Sequence, residues 1–290
     1  MKVGRTPGAL EAVPRAVALG TFDGVHIGHR RVLAAALARG PSLRPTVVTF
    51  WPHPRIVLGN EVGLLTTLER RLELLAEAGV DETLVVEFTP ELAQMEPTTF
   101  VDELLRPLGT QVVVAGADFR FGRGRSGDLD TLERLGLEVE RVELLAGTSS
   151  TAIRGLLRDG DIEAAARLLG RPPEVDGTVV SGDARGGTLG YPTANLSVEA
   201  HLLVPAYGIY AGSARGNRAA VSIGTNPHYG GHERRVEAFL LDFEGDLYGE
   251  RLVVELWRRL RDEQAFESEE ELVAQIGRDV EAARAAERPS

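Results

Sequence analysis

The 290-residue sequence contains no cysteine. That excludes a disulfide framework, thiolate nucleophiles and cysteine-ligated zinc. It matches a reducing compartment, so a cytoplasmic location is expected. Positive charge is also scarce: 32 Lys+Arg stand against 43 Asp+Glu, a net charge of −11. A general nucleic-acid or membrane-surface binder is excluded on that ground, because phosphate polymers and anionic headgroups require clustered cations. Any phosphate handling must be local. No apolar run approaches the roughly 18 residues of a membrane span, and the opening residues carry no apolar core of a secretory signal. Internal repeats and low-complexity tracts are absent as well. What remains, 43% hydrophobic and 26% charged, is material for one or two globular domains.

Two grammars follow one another along the chain. In the first half, short apolar runs alternate with helical patterns. A strand at 16–20, a helix at 29–40 ended by Gly40 and a strand at 46–50 form a βαβ unit, which implies parallel pairing. A helix at 66–79 opens with a capping-box pattern, Thr66 to Glu69. A strand at 82–88, a helix at 98–109 and a strand at 111–116 follow, then a helix near 130–135, a strand near 137–145, and helices at 150–158 and 161–169. This half is expected to be α/β, a Rossmann-like doubly wound parallel sheet. After Arg171-Pro172-Pro173, which cannot continue a helix, strand-like runs separated by Gly, Asn and Asp turns succeed one another with no helix between them. Serial strands of this kind predict a small antiparallel β-barrel. An amphipathic helix at 268–286, capped Ser268 to Glu271, closes the chain. Two domains are expected, 1–170 and 171–290.

The chemistry-bearing stretches fall at the ends of these elements. "GTFDGVHIGHRR" (20–31) follows the first strand, where open α/β sheets bind ligands at their carboxyl edge. Asp23-Gly24 makes a turn, and His26 and His29 share a face if the helix begins there. Gly28 removes a side chain where a nucleotide could come close, and a helix N-terminus suits phosphate. A hydrated, imidazole-rich loop is the alternative. Ser150 and Thr151 precede a helix and serve either as caps or as a phosphate cradle. Arg154, one turn on, faces the same site or solvent. In "DFRFGRGRSGD" (118–128), Phe119 and Phe121 either stack on a ligand ring or anchor a glycine-rich loop. His53 lies between two prolines, at a structural turn or a site edge.

In the second half, "SGDARGGTLGYPTANL" (181–196) is glycine-rich, with Gly182, Gly187 and Gly190 permitting close backbone approach to phosphate. Thr193 and Asn195 are two apart, so on an extended segment both oxygens point one way and suit Mg²⁺. Glu237 lies in "RRVEAFLLDF", where period 2 places it with Phe239, Leu241 and Phe243. A carboxylate on an apolar face needs a partner or a task. Burial would raise its pKa toward that of a general base. An ion pair with Arg235 or Arg259 is the structural alternative.

"ALGTFDGVHIGHR" resembles the opening of the HxGH nucleotidyltransferases, specifically the bacterial bifunctional riboflavin kinase/FAD synthetase family. The resemblance continues in order through "VVTFWPHPR" (47–55), "GADFRFGRGRSGDL" (116–129), "SSTAIRGLLRDGDIEAAARLLGRP" (149–172), "GYPTANL" (190–196), "RRVEAFLLDFEGDLYGE" (234–250) and "LRDEQAFESEEEL" (260–272). It implies ATP-dependent phosphorylation of riboflavin to FMN in the second half and adenylylation of FMN to FAD in the first. By resemblance, His26 and His29 contact ATP phosphates, and Gly20, Phe22, Asp23, Gly28, Asp118, Phe119, Ser150, Thr151 and Arg154 line the ATP/FMN site. Thr193 and Asn195 belong to the kinase signature, Glu237 accepts the riboflavin hydroxyl proton, and Arg261 borders the flavin. Two departures concern the first half. The stretch "LLAGTSST" (144–151) has no basic residue where the family usually carries one, and position 117 is alanine where an acidic residue is common. In the second half, His228 stands where threonine is frequent. The competing readings are a kinase with a weakened or vestigial adenylyltransferase half, and a flavin- or nucleotide-binding regulator without turnover.

Overall fold

A computed structural model describes residues 1–40, 42–182, 190–225 and 234–289. The chain divides into two compact units. The first comprises Met1–Val62 with Leu68–Ser149, and the second Gly63–Thr67 with Ser150–Ser290.

The first unit is a six-stranded, all-parallel sheet: β1 (Lys2–Gly4), β2 (Arg15–Leu19), β3 (Arg44–Trp51), β4 (Glu82–Glu87), β5 (Thr110–Gly116) and β6 (Glu138–Val142), in the order β1-β4-β3-β2-β5-β6. The crossovers carry α1 (Ile27–Ala38), α2 (Pro54–Val57), α3 (Leu68–Glu77), α4 (Pro90–Ala93), α5 (Pro97–Phe100), which continues as a π-helical turn to Leu105, and α6 (Leu129–Arg134). Strand residues alternate between two cores, which is why the sheet is covered on both faces. Ala16, Ala18, Val47, Val112 and Val114 pack with Val32, Leu33 and Ala36 of α1 and with Leu74 and Leu75 of α3. Val17, Leu19, Val48, Phe50 and Val113 pack with Phe100, Leu105, Leu129 and Leu132 on the other side. The doubly wound sheet expected from the sequence is therefore present, with one addition, the short edge strand β1.

The second unit is a closed antiparallel barrel of β7 (Glu174–Val180), β8 (Ala194–Val198), β9 (Gly208–Ala214), β10 (Asn217–Thr225), β11 (Arg234–Leu240) and β12 (Arg251–Arg261), with strand order β10-β11-β8-β7-β12-β9. Its core is filled by inward residues of every strand, among them Val175, Leu196, Tyr210, Val221, Val236, Ala238, Leu240, Val254 and Leu256. The main divide between compact units falls at Ser149/Ser150. Helices α7 (Ser150–Asp159) and α8 (Ile162–Leu169) look like the end of the α/β half, but Ile153, Leu157, Ile162, Ala165 and Leu169 belong to the barrel core, and so does Leu65 from the 63–67 segment. A helix joins whichever core receives its apolar stripe. The last helix, α9 (Glu269–Ala285), starts at Ser268, whose side chain accepts from the Glu271 amide as expected, and packs Ala283 and the following Ala286 against Trp257.

Candidate functional sites in the two units

In the first unit the chain runs from β2 outward to β3 and β4, then returns to place β5 on the other side of β2. The strand order reverses between β2 and β5, and such a switch point opens a crevice at the carboxyl ends of the strands. Two of the predicted stretches lead into it, Gly20–His29 after β2 and Ala117–Phe119 after β5. His26 is the N-cap of α1 rather than its first turn, and its Nδ1 accepts from the backbone N–H of His29 at 3.2 Å. With Nδ1 an acceptor, the ring proton sits on Nε2, the donor nitrogen. His29, three residues on, stacks on it with centroids 3.6 Å apart and planes 13° apart. Phe22 meets His29 edge-on at 5.3 Å. A Cβ on Gly28 would lie 3.1 Å from the His26 ring, so this glycine makes room for the imidazole. Likewise a Cβ on Gly20 would meet the Phe22 ring at 3.3 Å.

The turn that delivers the histidines is strained. Phe22 (φ 50°), Gly24 (φ 86°) and Val25 (φ 41°) all occupy the left-handed region, which costs the two non-glycine residues on the order of 1–3 kcal/mol each. Surrounding structure holds the strain in place. Phe22 and Val25 are buried in the core, the Val25 amide donates to the Phe22 carbonyl at 3.1 Å, and Thr49 Oγ1 donates to the Thr21 carbonyl at 3.0 Å. Asp23 stands in a turn with Gly24, as expected, but its side chain is fully buried, and Arg71 of α3, also fully buried, pairs with it at 3.3 Å. His53 is buried as well and caps α2, its Nδ1 accepting from the Arg55 amide at 3.2 Å.

After β5, Asp118 is exposed and Phe119 half-buried. Phe119 stacks on Phe121, which is buried against Phe100, so the loop-anchor reading holds for Phe121. After β6, the Thr148 methyl would lie 3.7 Å from a Cβ at Gly28, and Leu144 is exposed beside the position where Gly116 lacks a side chain. Ser150 and Thr151 open α7 in the second unit. Arg154 is buried there, its Nε donating to the Gly63 carbonyl at 2.6 Å, so the solvated-arginine alternative does not hold.

In the barrel, register does the assembling. Asn195 of β8 lies directly opposite Glu237 of β11, and Glu237 opposite Ser222 of β10. Directly opposed residues bring their Cβ atoms to roughly 5 Å. Thr193 precedes β8, and its carbonyl accepts from Asn195 Nδ2 at 3.4 Å. A Cβ on Gly182 would lie 2.2 Å from that same Nδ2, so the backbone of Gly182 lies directly against the amide. The expected burial of Glu237 is not found. The barrel interior takes Val236, Ala238 and Leu240, which leaves Glu237 on the outer face, 32% exposed, paired with Arg235 at 3.6 Å. Period 2 separates two faces but does not say which one barrel closure turns inward. Beside it, Tyr191 meets Phe239 edge-on at 5.4 Å. Arg261 is tied to Asp279 of α9 through three contacts, at 2.7, 3.0 and 3.2 Å, and lines a groove of about 380 Å³ with Arg258, Arg259 and Arg278. Gly190 sits at a turn with φ 85°. Gly187 and His228 lie outside the described residues.

Residues 10–152 match the FAD synthetase family and residues 169–287 the riboflavin kinase family. A protein of Listeria monocytogenes named bifunctional riboflavin kinase/FMN adenylyltransferase is 37% identical, covering 94% of this chain and 92% of its own. The chain belongs to the bifunctional riboflavin kinase/FMN adenylyltransferase family. Proteins of the same name from Bacillus subtilis and Escherichia coli are 35% and 37% identical over 93% and 92% of this chain. A solved structure described as a macrolide-efflux protein from Streptococcus pneumoniae superposes with a TM-score of 0.86, 32% identity and 98% coverage of both chains. Among the described residues no helix here is long and apolar enough to cross a membrane.

Two residues of this family member escaped the sequence reading. Arg71 carried a signal: it sits three residues after Leu68 and three and four before Leu74 and Leu75, a cation on the apolar stripe of a helix. Ser222, opposite Glu237, carried none, because only strand register places it there.

Proposed function

We propose that the barrel unit carries the riboflavin kinase site and that the parallel-sheet unit contributes the HxGH corner of the FMN adenylyltransferase site. As a member of its family the chain is an enzyme, a transferase with both activities. The functional halves are taken as 1–170 and 171–290. The cross-strand pair of Glu237 and Asn195 carries the kinase assignment. Glu237, half-buried on the outer face of the barrel, accepts the proton of the riboflavin terminal hydroxyl as that oxygen attacks the γ-phosphorus of ATP, and ADP leaves. Arg235 lies 3.6 Å from the carboxylate and holds it at this corner.

Thr193 and Asn195 fit Mg²⁺. They offer two neutral hard oxygens, with the backbone of Gly182 directly against the Asn195 amide, and such a donor pair suits an ion that keeps phosphate oxygens and water in most of its shell. Bound there, the ion would neutralise charge on the ATP phosphates. Gly182 and Gly190 shape the backbone at this corner.

In the adenylyl transfer, a phosphate oxygen of FMN attacks the α-phosphorus of ATP and pyrophosphate leaves, so the protein positions groups and offsets charge. The stacked His26 and His29, at the N-terminus of α1, carry this assignment. His26 donates from Nε2, and both rings face developing negative charge together with the α1 amides. Asp118 and Phe119 border the flavin from the β5 side. A second reading, a weakened adenylyltransferase, is favoured by one observation: the residues from Leu144 to Ser149 carry no cation, and Thr148 lies beside Gly28. Chromatography after incubation with riboflavin, ATP and Mg²⁺ tests both. FMN followed by FAD is expected; FMN without FAD or pyrophosphate would remove the adenylyltransferase half.

A further inference from the structure

We infer that the buried Asp23–Arg71 pair is the positioning element of the adenylyl-transfer corner: it locks the strained turn 22–25 and thereby sets the stacked His26–His29 rings. The inference rests on the reading of that histidine pair as the phosphate-facing group.

A continuous chain of contacts leads from one to the other. Arg71 is anchored at the end of β3, its guanidinium over the Trp51 ring at 5.3 Å and its Nη1 3.5 Å from the Phe50 carbonyl. Its Nη2 reaches Asp23 Oδ1 at 3.3 Å. Asp23 lies between Phe22 and Gly24, inside the run of positive φ values. Phe22 in turn meets the His29 ring edge-on, and His29 stacks on His26. Val25, at the other end of the turn, is buried, and its carbonyl accepts from Arg30 of α1 at 3.5 Å.

Two observations separate this from ordinary core packing. A buried ion pair gives less stability than an apolar pair of the same shape, so its presence under a loop calls for another reason, and directionality is the property an apolar pair lacks. A turn with left-handed Phe22 and Val25 also relaxes unless something over-determines it. Asp23 and Arg71 are 48 residues apart and tie the loop after β2 to α3 and the end of β3, so the rings are set before substrate arrives. Both side chains are fully buried beneath the turn. Both act through the histidines.

The test compares Asp23→Asn and Arg71→Lys with the unaltered full-length enzyme, each assayed well below its own melting temperature. The conversion of FMN to FAD is measured for kcat and for the KM of ATP. Riboflavin phosphorylation by the same sample, which uses the other unit, reports folding. Misplaced rings lose transition-state contacts, so Asp23→Asn is expected to lower adenylyl-transfer kcat about 100-fold with KM little changed. Arg71→Lys, which keeps the charge and loses the planar fork, is expected to lower it about 10-fold. Kinase turnover stays unaltered in both. A loss of about fivefold or more that persists on cooling supports positioning; a smaller loss, or one that disappears on cooling, overturns it. If Asp23→Asn fails to fold, Arg71→Lys decides by the same threshold. His26→Asn, run alongside, keeps the roles apart: unaltered FAD formation there would defeat the reading of the histidines themselves, whatever Asp23→Asn does.

Discussion

Replacing Glu237 with glutamine separates chemistry from fold, because the structure sets very different magnitudes for the two. The Glu237–Arg235 pair is 3.6 Å long, with side chains 32% and 29% exposed. A pair so placed contributes about 0–1 kcal/mol to stability, and glutamine keeps the shape and can still accept a hydrogen bond. For a unit of this size the melting temperature should move by no more than about 2–4 °C. The catalytic effect is far larger. A positioned general base is worth about 10²–10⁴ in rate, or about 2.7–5.5 kcal/mol in the barrier. The assay is FMN formation from riboflavin and ATP at saturating substrate, with FAD formation from supplied FMN on the same sample as an internal control. Kinase kcat should fall at least about 100-fold, while adenylyl transfer, the KM for ATP and riboflavin binding stay close to those of the unaltered enzyme. Turnover within about tenfold of the unaltered enzyme, in a variant that melts normally, would remove Glu237 from the mechanism. Loss of both activities together would instead show that the substitution disturbs the fold.

Other positions give equally separable outcomes. His26→Asn preserves an N-cap acceptor for α1 but removes the imidazole, so thermal stability should hold while FAD formation drops about 10²–10³-fold; unchanged FAD formation would confine His26 to capping. Gly182→Ala puts a methyl group 2.2 Å from the Asn195 amide, which must move, so the KM for Mg-ATP in the kinase reaction should rise about tenfold or more, while adenylyl transfer is unaffected. The Glu82 carboxyl is subject to burial, which pushes it up, but the Arg15 and Arg44 guanidiniums outweigh that and hold it below its ordinary range. A depressed folded value makes its contribution to stability fully present above the unfolded value of about 4.5 and lost as pH falls through the folded value. Melting curves of the first unit should therefore decline in acid below about pH 4.5. Glu82→Gln should lower the neutral-pH melting temperature and flatten that acid limb, and an unchanged acid limb would contradict the assignment.

Much of this protein is local information. Most helices and strands from 15 to 169 follow from hydrophobic period, caps and turn residues, all of which act within a few residues, though the short helices at Pro54–Val57 and Pro90–Ala93 were not read. The serial strands after Pro173 read as a barrel for the same reason, and the motifs around His26, His29, Thr193 and Asn195 are contiguous, so the family was legible and the proposed site residues could be named. Everything that depends on which residues meet was not. Glu237 alternates with Val236 and Ala238, yet only closure of the barrel decides that the valine and alanine go inside. Helices α7 and α8 carry apolar stripes that suit the α/β half and the barrel equally by pattern, and the packing of Ile153, Leu157 and Ala165 with the barrel strands settles it. Gly28 reads as a gap for a nucleotide, and only the fold shows that a Cβ there would also crowd the His26 ring. Asp23 reads as a turn residue, which it is, but only the fold places Arg71, 48 positions away, beside it in the interior. Sequence alone determined the elements, their order and the chemistry available. The tertiary structure decided which face is inward, which core takes each helix and which charges pair, because burial and ion pairing are contacts between distant residues and have no period along the chain.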